Sequence, residues 1–582
     1  MRDSSVCGIA LSFVFLAGPV LGRPSVVASR TSPAPASAVV QEARRLIESS
    51  GVRGGLVVHV GCGGGGLTAA LRLDERYLVQ GLETDAEAVA AARRHIQSLG
   101  LYGSVSVVRF DGRRLPYVDE SVNLLVVEEP GHLSAEEMRR VLAPGGVLCV
   151  RREGRWEKTG KPWPDDIDSW THYLHDASNN AVARDRRLGP PRRLQWTCGP
   201  LWTRSHEFTS SLVAMVSGGG RLFYVFDEGL TSLTEAPLPD RWVLIARDAF
   251  NGVLLWKRPL PEWGPKQWGR SALRSIPPTV PRRLVVEGDR LFMTLGYHAP
   301  VSVLDAATGK TLTTLPDSDG TEEIRCVAGV LLLCKPNREL VAVDVRSERR
   351  LWKVSGRIGR LTTAATSKRV FYRDGSTLVC CGLQDGRERW RTPVGRTASL
   401  LVVHGGRVVV LSSKTLQAFD GQSGRKLWSV NARPARPELF VAQGKVWHWV
   451  GQRIVGRDLR TGQLTVTLDT DDVFTPGHHL RCYQTKATER YLITPNRGAE
   501  FVSLTGGLNC QNDWIRGACR YGVMPANGLL YVPPNPCFCY PGVKLTGFNA
   551  LAPARSQLPA VSEGDRLERG PAYGGHTHRG KP

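Results

Sequence analysis

One pattern recurs through the second half of the chain and limits its fold more than any other feature. An apolar strand runs into Asp, then three residues, Gly, three residues, Trp and a polar turn. It is complete at Asp248-Gly252-Trp256 and at Asp420-Gly424-Trp428. Asp344 and Trp352 carry it with Glu348 in place of Gly, and Gly386 and Trp390 carry it with Gly382 in place of Asp. Asp305-Gly309 and Asp458-Gly462 carry it without Trp. Positions 305, 344, 382, 420 and 458 lie 39, 38, 38 and 38 residues apart, the length of one four-stranded propeller blade. The turn then joins two strands, and the Trp is expected to pack between neighbouring blades. The gap of 57 from 248 to 305 holds an insertion, PEWGPKQWGRSALRSIPPTVP. Strand pairs near 501–507 and 543–551 bring the count to eight blades, with seven as the alternative, and Leu194–Trp196 is placed to close the last sheet. The 62 glycines and 37 prolines suit so many turns.

The chain begins differently. Residues 38–50 (AVVQEARRLIESS) have the spacing of an amphipathic helix. The apolar strand LVVHV (56–60) runs into Gly61-Cys62-Gly63-Gly64-Gly65-Gly66, and a helical stretch, LTAALRL, follows. Strand, glycine turn and helix in that order bring backbone close to a nucleotide, because any Cβ in the turn would hold the ligand away. A second strand, YLVQGLE (77–83), ends in Glu83, 18 residues after Gly65. A carboxylate there is placed to accept hydrogen bonds from two ribose hydroxyls. A helix (86–100), a strand (105–110) ending before Asp111, a fourth strand, the helix SAEEMRRVL and a fifth strand, VLCVRRE, continue the alternation.

The series GCGGGG, GLETD, DGRRLPYVDESVNLLVVEE and MRRVLAPGG resembles the motifs of class I S-adenosylmethionine (SAM) methyltransferases. The resemblance implies that Gly61, Gly63 and Gly65 hold the methionine part, Glu83 the ribose, and Asp111 with Gly112 the adenine. The expected fold is a small Rossmann-like α/β domain followed by an all-β propeller of seven or eight blades. Two departures stand out. The family has an acid two positions before the first glycine, where this chain has His59. The two strands that finish the family's sheet are not expected here, because the chain turns to KTGKPWPDDIDSW directly after the fifth strand. Such enzymes act largely by orienting sulfonium and nucleophile. Glu129 and His132, after the fourth strand, are the candidates for a base, and a solvated loop accounts for both equally; no catalytic residue is assigned.

Residues 156–189 are dense in Trp, Asp, His and Asn. Trp163, Trp170, Tyr173 and Leu174 suit packing against a neighbouring domain. His172 and His175 with Asp166, Asp168 and Asp176 are residue types that bind metals, but a structured lead-in to the propeller is favoured and no metal is assigned. Trp170 to Ala183, followed by Leu194-Gln195-Trp196, resembles the opening of PQQ-type propeller proteins. The repeats at 190–555 are similar to those of PQQ-dependent alcohol dehydrogenases and of the lipoprotein propeller of the outer-membrane β-barrel assembly machine. The first resemblance implies PQQ as cofactor, and the second a docking surface for a protein or other macromolecule. Cys380-Cys381 matches the cysteine pair of the quinone enzymes, although packing in a strand explains it better. Cys510, Cys519, Cys537 and Cys539 are expected to staple the ring closure by disulfides, with a metal site using His478 or His479 as the alternative.

Residues 6–22, apolar after an Arg and ending in small residues, read as an export signal, and 23–37 as a linker. This implies the periplasm or cell envelope; an early-called start would instead leave the chain cytoplasmic. No later segment is apolar enough to span a membrane, and residues 556–582 read as a polar tail. The net charge of +22 comes from scattered Arg, whereas a nucleic-acid footprint concentrates on one face. Three functions fit: a SAM-binding or methyl-transferring protein with a docking propeller, an exported non-catalytic scaffold, and a PQQ oxidoreductase.

Overall fold

The computed structural model describes residues 37–204, 209–231, 239–268, 276–476, 480–536, 542–543 and 545–554. The proposed export segment, the tail, His478, His479, Cys537 and Cys539 lie outside them.

The first domain alternates helix and strand. Helix α1 (Ala38–Ser50) starts where Ser37 accepts a hydrogen bond from the Val40 N–H and stops at Gly51 in the left-handed conformation. It is followed by β1 (Gly55–Val60), α2 (Gly66–Ala70), β2 (Tyr77–Glu83), α3 (Ala86–Ser98), β3 (Val105–Arg109), β4 (Val122–Val127), α4 (Ala135–Val141) and β5 (Leu142–Arg152). The sheet order is β3-β2-β1-β4-β5, all parallel. Val57, Val58, Val79, Leu124 and Leu125 are buried, as expected of strands covered on both faces. The sheet does not end at β5. Arg155–Gly160 turns back as β6, antiparallel to β5. This corrects the expectation that both finishing strands are missing: one is present. Its exposed, polar sequence suits an edge strand.

The second body is a ring of eight four-stranded blades. Blades 1 to 6 span residues 212–259, 284–314, 323–355, 358–393, 398–431 and 439–467. Blade 7 takes three strands from 486–503 and a parallel partner, β7 (Val182–Ala183). Blade 8 takes three strands from 524–553, and its outer strand is β8 (Pro191–Cys198), antiparallel to Phe548–Pro553. The ring is therefore closed by residues that precede it in sequence, as expected of Leu194–Trp196.

The repeat motif is an inter-blade joint. The Trp of one blade donates its indole N–H to the carbonyl that follows the Asp-equivalent position of the next. The pairs are Trp196–Ala249 (2.8 Å), Trp256–Ala306 (3.1 Å), Trp352–Leu383 (2.8 Å), Trp390–Gly421 (3.3 Å) and Trp428–Leu459 (3.1 Å). Each indole lies on the glycine of that turn: a Cβ at Gly424 would sit 2.5 Å from Trp390, and one at Gly462 2.7 Å from Trp428. These glycines also have φ near +70°, which L side chains resist. The deviations in the motif follow from the joint. Blade 2 has Thr313 at the Trp position, and blade 3 is the one whose turn carries Glu348 instead of Gly.

Residues 168–185 form an inner ring that meets the blades in order. The Trp170 N–H and carbonyl pair with Ser217 of blade 1, and the Thr171 carbonyl accepts from Val286 of blade 2. His172 Nε2 accepts the Cys326 N–H of blade 3 at 3.0 Å. The Ala177 and Ser178 carbonyls accept from Ala365 and Val403 of blades 4 and 5. Asn180 both donates to and accepts from the Val441 backbone of blade 6. The Ala181 carbonyl takes the Ala487 N–H of blade 7, and Asp185 the Gly528 N–H of blade 8. These contacts lie toward the C-terminal ends of the innermost strands, so the segment plugs one end of the channel. It is a structured lead-in, as expected, and its histidines are occupied. His175 bonds Asp168 at 2.8 Å and pairs with Asp176 at 3.5 Å. Burial opposes its charge, but the two carboxylates outweigh this and raise it to about 9. Burial pushes His172 down to about 3.

Candidate cofactor site

The sheet order places the predicted residues in a row. Asp111, Glu83 and the glycine loop follow β3, β2 and β1, which are neighbours, so they share the C-terminal edge of the sheet at about 4.8 Å per strand. The Gly61 N–H donates to Leu82 O at 2.9 Å, binding the loop to the end of β2. The Gly63 N–H donates to Glu83 Oε2 at 3.0 Å, while Glu83 Oε1 accepts from the Thr84 N–H at 2.8 Å. The carboxylate thus stands against the loop, held from both sides by main chain.

The glycines serve different ends. A Cβ at Gly63 would meet nothing within 4 Å, so this backbone faces open space. Gly65, at φ +83°, lets α3 pack close: its Cβ would lie 3.0 Å from that of Ala92. Gly112, at φ +74°, lies against Thr84, where a Cβ would be 3.1 Å from the methyl. Gly81 escaped the sequence reading. It leaves room for Cys62, whose Sγ would be 2.9 Å from a Cβ there. Asp111 forms its own turn, with Oδ1 accepting from the Arg113 and Arg114 N–H groups at 2.8 Å each. The first of its lowering causes is the Arg114 N–H, and the carboxyl sits below the usual range.

His59 is 1% exposed. Its Nδ1 is 2.8 Å from Thr68 Oγ1 on α2, and its Nε2 is 3.7 Å from Glu128 Oε1 at the end of β4. Glu128 also takes Arg151 at 2.9 Å, and His59 first, then Arg151, hold it below the usual carboxylate range against burial. A carboxylate from the end of β4 thus stands beside the buried imidazole at position 59. Glu129 and His132 are both exposed on the loop after β4.

The opposite edge of the sheet meets the propeller. Asn123, at the start of β4, donates to Asp248 Oδ2 at 2.7 Å and accepts from Asn251 Nδ2 at 2.7 Å and the Leu56 N–H at 2.8 Å. Arg53 pairs with Asp305 at 3.1 Å, and Glu120 with Arg187 at 2.7 Å. The turns of blades 1 and 2 therefore hold the N-terminal edge, and the Gly61–Asp111 edge faces away from the propeller.

Among the described residues, the cysteines single out no second site. Cys380 and Cys381, adjacent in one strand of blade 4, point into separate inter-blade cores. Burial raises their thiols to about 11 and about 12. Cys510 and Cys519 are not joined to each other. Among the described residues, no group of three or more His, Cys, Asp or Glu is arranged to hold a metal, and no helix is long and apolar enough to cross a membrane.

Comparison with known proteins follows this division. Residues 57–146 match the methyltransferase domain family, and residues 336–472 match the repeat family of the outer membrane protein assembly factor BamB. No curated protein matches the chain. Among solved structures, BamB from Moraxella catarrhalis aligns at 12% identity over 56% of this chain and 95% of its own, with a TM-score of 0.38. The computationally designed Ika8 protein aligns at 12% identity over 62% of this chain and 100% of its own, with a TM-score of 0.42. A geranyl diphosphate methyltransferase in complex with SAM aligns at 21% identity over 19% of this chain and 48% of its own, with a TM-score of 0.18. The chain thus spans about half the length of that methyltransferase. SAM is the ligand that the methyltransferase-family match implies. The chain joins a methyltransferase-family domain to an eight-bladed β-propeller that carries a BamB-type repeat.

Proposed function

We propose that the α/β domain binds SAM at the C-terminal edge of its sheet and transfers its methyl group to an acceptor that approaches from the side away from the propeller. The observation that carries this reading is the Glu83 carboxylate, held against the open glycine loop by the Gly63 and Thr84 N–H groups. Oε2 retains a lone pair for a ribose hydroxyl, and a second hydroxyl would replace the long 3.4 Å bond from Thr84 Oγ1 on Oε1. Gly63 lets backbone approach the methionine part, Gly61 and Gly65 hold the loop, and Asp111 with Gly112 borders the adenine. Bound SAM would supply an electrophilic methyl on its sulfonium. The residues of this chain would bind and orient it, which is the principal source of rate in such transfers.

The propeller serves as a docking body for a protein or other macromolecule, and its BamB-type repeat supports a place in the cell envelope. A quinone oxidoreductase has less in its favour, since Cys380 and Cys381 belong to packed cores. The test is calorimetric titration of the full chain with SAM, with Glu83→Ala beside it. Micromolar binding, weakened about 10-fold or more by loss of the two charge-assisted hydrogen bonds, is expected. No heat from folded wild-type protein overturns the reading.

A further inference from the structure

The turns on one end of the ring carry unequal charge. They join the first strand of each blade to the second and the third to the fourth, and the α/β domain stands on those of blades 1 and 2. There, residues 218–221, 248–254, 287–290 and 305–311 hold three Lys and Arg against four Asp and Glu. The matching turns of blades 3 to 6, at 327–330, 344–350, 365–369, 382–388, 404–407, 420–426, 442–445 and 458–464, hold eleven against six. A surplus of positive charge is thus gathered on the part of this end that the α/β domain leaves uncovered.

Within it, three arginines share one register position. Arg349, Arg387 and Arg425 each lie five residues after the Asp-equivalent position of blades 3, 4 and 5. Their carbonyls accept the N–H groups of Asp344, Gly382 and Asp420 at 2.9, 3.0 and 2.9 Å, so equivalent backbone presents all three side chains. All three are exposed, and none makes an ion pair among the described residues. The carboxylates beside them are held by their own turns: Asp344, Asp385 and Asp420 accept from the N–H groups of Ser347, Arg387 and Ser423 at 2.6, 3.1 and 2.7 Å. In blade 1, where the α/β domain packs, the same position is Val253.

We propose that this row of arginines is the docking site for an acidic segment of a partner protein, which crosses blades 3, 4 and 5. The proposal rests on the reading of the propeller as a docking body and names the face and the chemistry of the partner. Guanidinium groups match carboxylates in geometry and charge. Carboxylates interspersed among the arginines favour a partner whose acids are spaced over the uniform charge of a phosphate backbone. The three turns contain no aromatic residue for a base to stack on. A flat bilayer is kept off by the α/β domain on the same end.

The test is fluorescence anisotropy of the full chain with a labelled Glu-Ser repeat peptide of about 20 residues, which reaches about 60 Å when extended. A Gln-Ser peptide is the neutral counterpart. The acidic peptide is expected to bind at low salt and weaken as salt rises, and the neutral one to bind at least about 10-fold more weakly. Arg349→Gln, Arg387→Gln and Arg425→Gln together should weaken the acidic peptide about 10-fold or more. Arg396→Gln, Arg433→Gln and Arg453→Gln, an equal loss of charge on the opposite end of the ring, should leave it unchanged. A DNA duplex of about 20 base pairs should respond equally to both sets, because it follows total charge. No binding of the acidic peptide by folded protein overturns the proposal and leaves the docking body to a partner of other chemistry. Equal loss in both sets removes this face and leaves docking elsewhere on the propeller. Duplex binding lost only with the row, while the peptide still binds, overturns the proposal in favour of nucleic acid.

Discussion

The two ends of the propeller channel are built from the same inner strands and behave differently. At the closed end, strand after strand finds a partner in residues 168–185, down to the side chain of Asn180 bonding both backbone groups of Val441. At the open end, Arg282, Arg436 and Arg481 keep buried Nε atoms with no hydrogen-bond partner among the described residues, and a cavity remains. A repeat supplies near-symmetry. A segment outside the repeat breaks it, and where that segment runs it supplies partners to the backbone of the innermost strands. Stability is therefore expected to concentrate at the closed end.

The largest effect should come from Asn180→Ala. It leaves a buried N–H and a buried carbonyl of Val441 without partners, at about 1–3 kcal/mol for each group, and a matching fall in chemical-denaturation midpoint checks it. If it costs nothing, the closed end is not where the ring is secured. Next, the outer joints ask whether blade packing is equally strong all round. Gly424→Ala puts a Cβ 2.5 Å from Trp390 at φ +73° and should cost about 2–3 kcal/mol. Glu348→Gly, where no indole waits and φ is +60°, should be neutral or stabilising by up to about 1 kcal/mol.

A pH titration of stability sharpens the contrast within the inner ring. The folded value of His175, about 9, lies above the ordinary 6.5. Its stabilising contribution is thus complete below pH 6.5 and lost as pH rises through 9. His172, at about 3 when folded, acts in the other direction, with stability falling as pH drops from 6.5 toward 3. Asp168→Asn removes one of the two carboxylates that hold His175 charged and should weaken the alkaline limb. Because Asp168 itself sits below the usual carboxylate range, the substitution should also reduce the fall in stability toward acid. The smallest effect is expected at the open end: Arg481→Met should change stability by less than about 0.5 kcal/mol. A large loss would show that the cavity is held together by its arginines.

Much of this was legible in the sequence because it is local or periodic. The Asp-Gly-Trp spacing fixes the blades, and Glu348 and Thr313 show by their substitutions that the joint between blades 2 and 3 lacks its indole. The run from Gly61 to Gly65 with Glu83 marks the cofactor edge because a strand, a turn and a short separation determine where they meet. The inner ring was hidden, since Asp185 finds Gly528 across 343 residues and its bonds go to backbone, which carries no residue code. Strand β6 was hidden by its polar, exposed sequence. The cavity arginines come from insertions and loops far apart in the chain, and only ring closure brings them together.

The inner ring also sets an order of assembly. Residues 168–198 leave the ribosome before any blade exists, yet their partners extend to Pro553, which pairs with Pro191 of β8. The α/β domain has its whole sheet once residue 160 has emerged. The propeller must instead wait for nearly four hundred further residues, with a hydrogen-bonding segment ready but unmatched. Each blade that forms can dock onto this segment in turn, so the part that plugs the finished channel is placed to act as the template on which the ring is laid down.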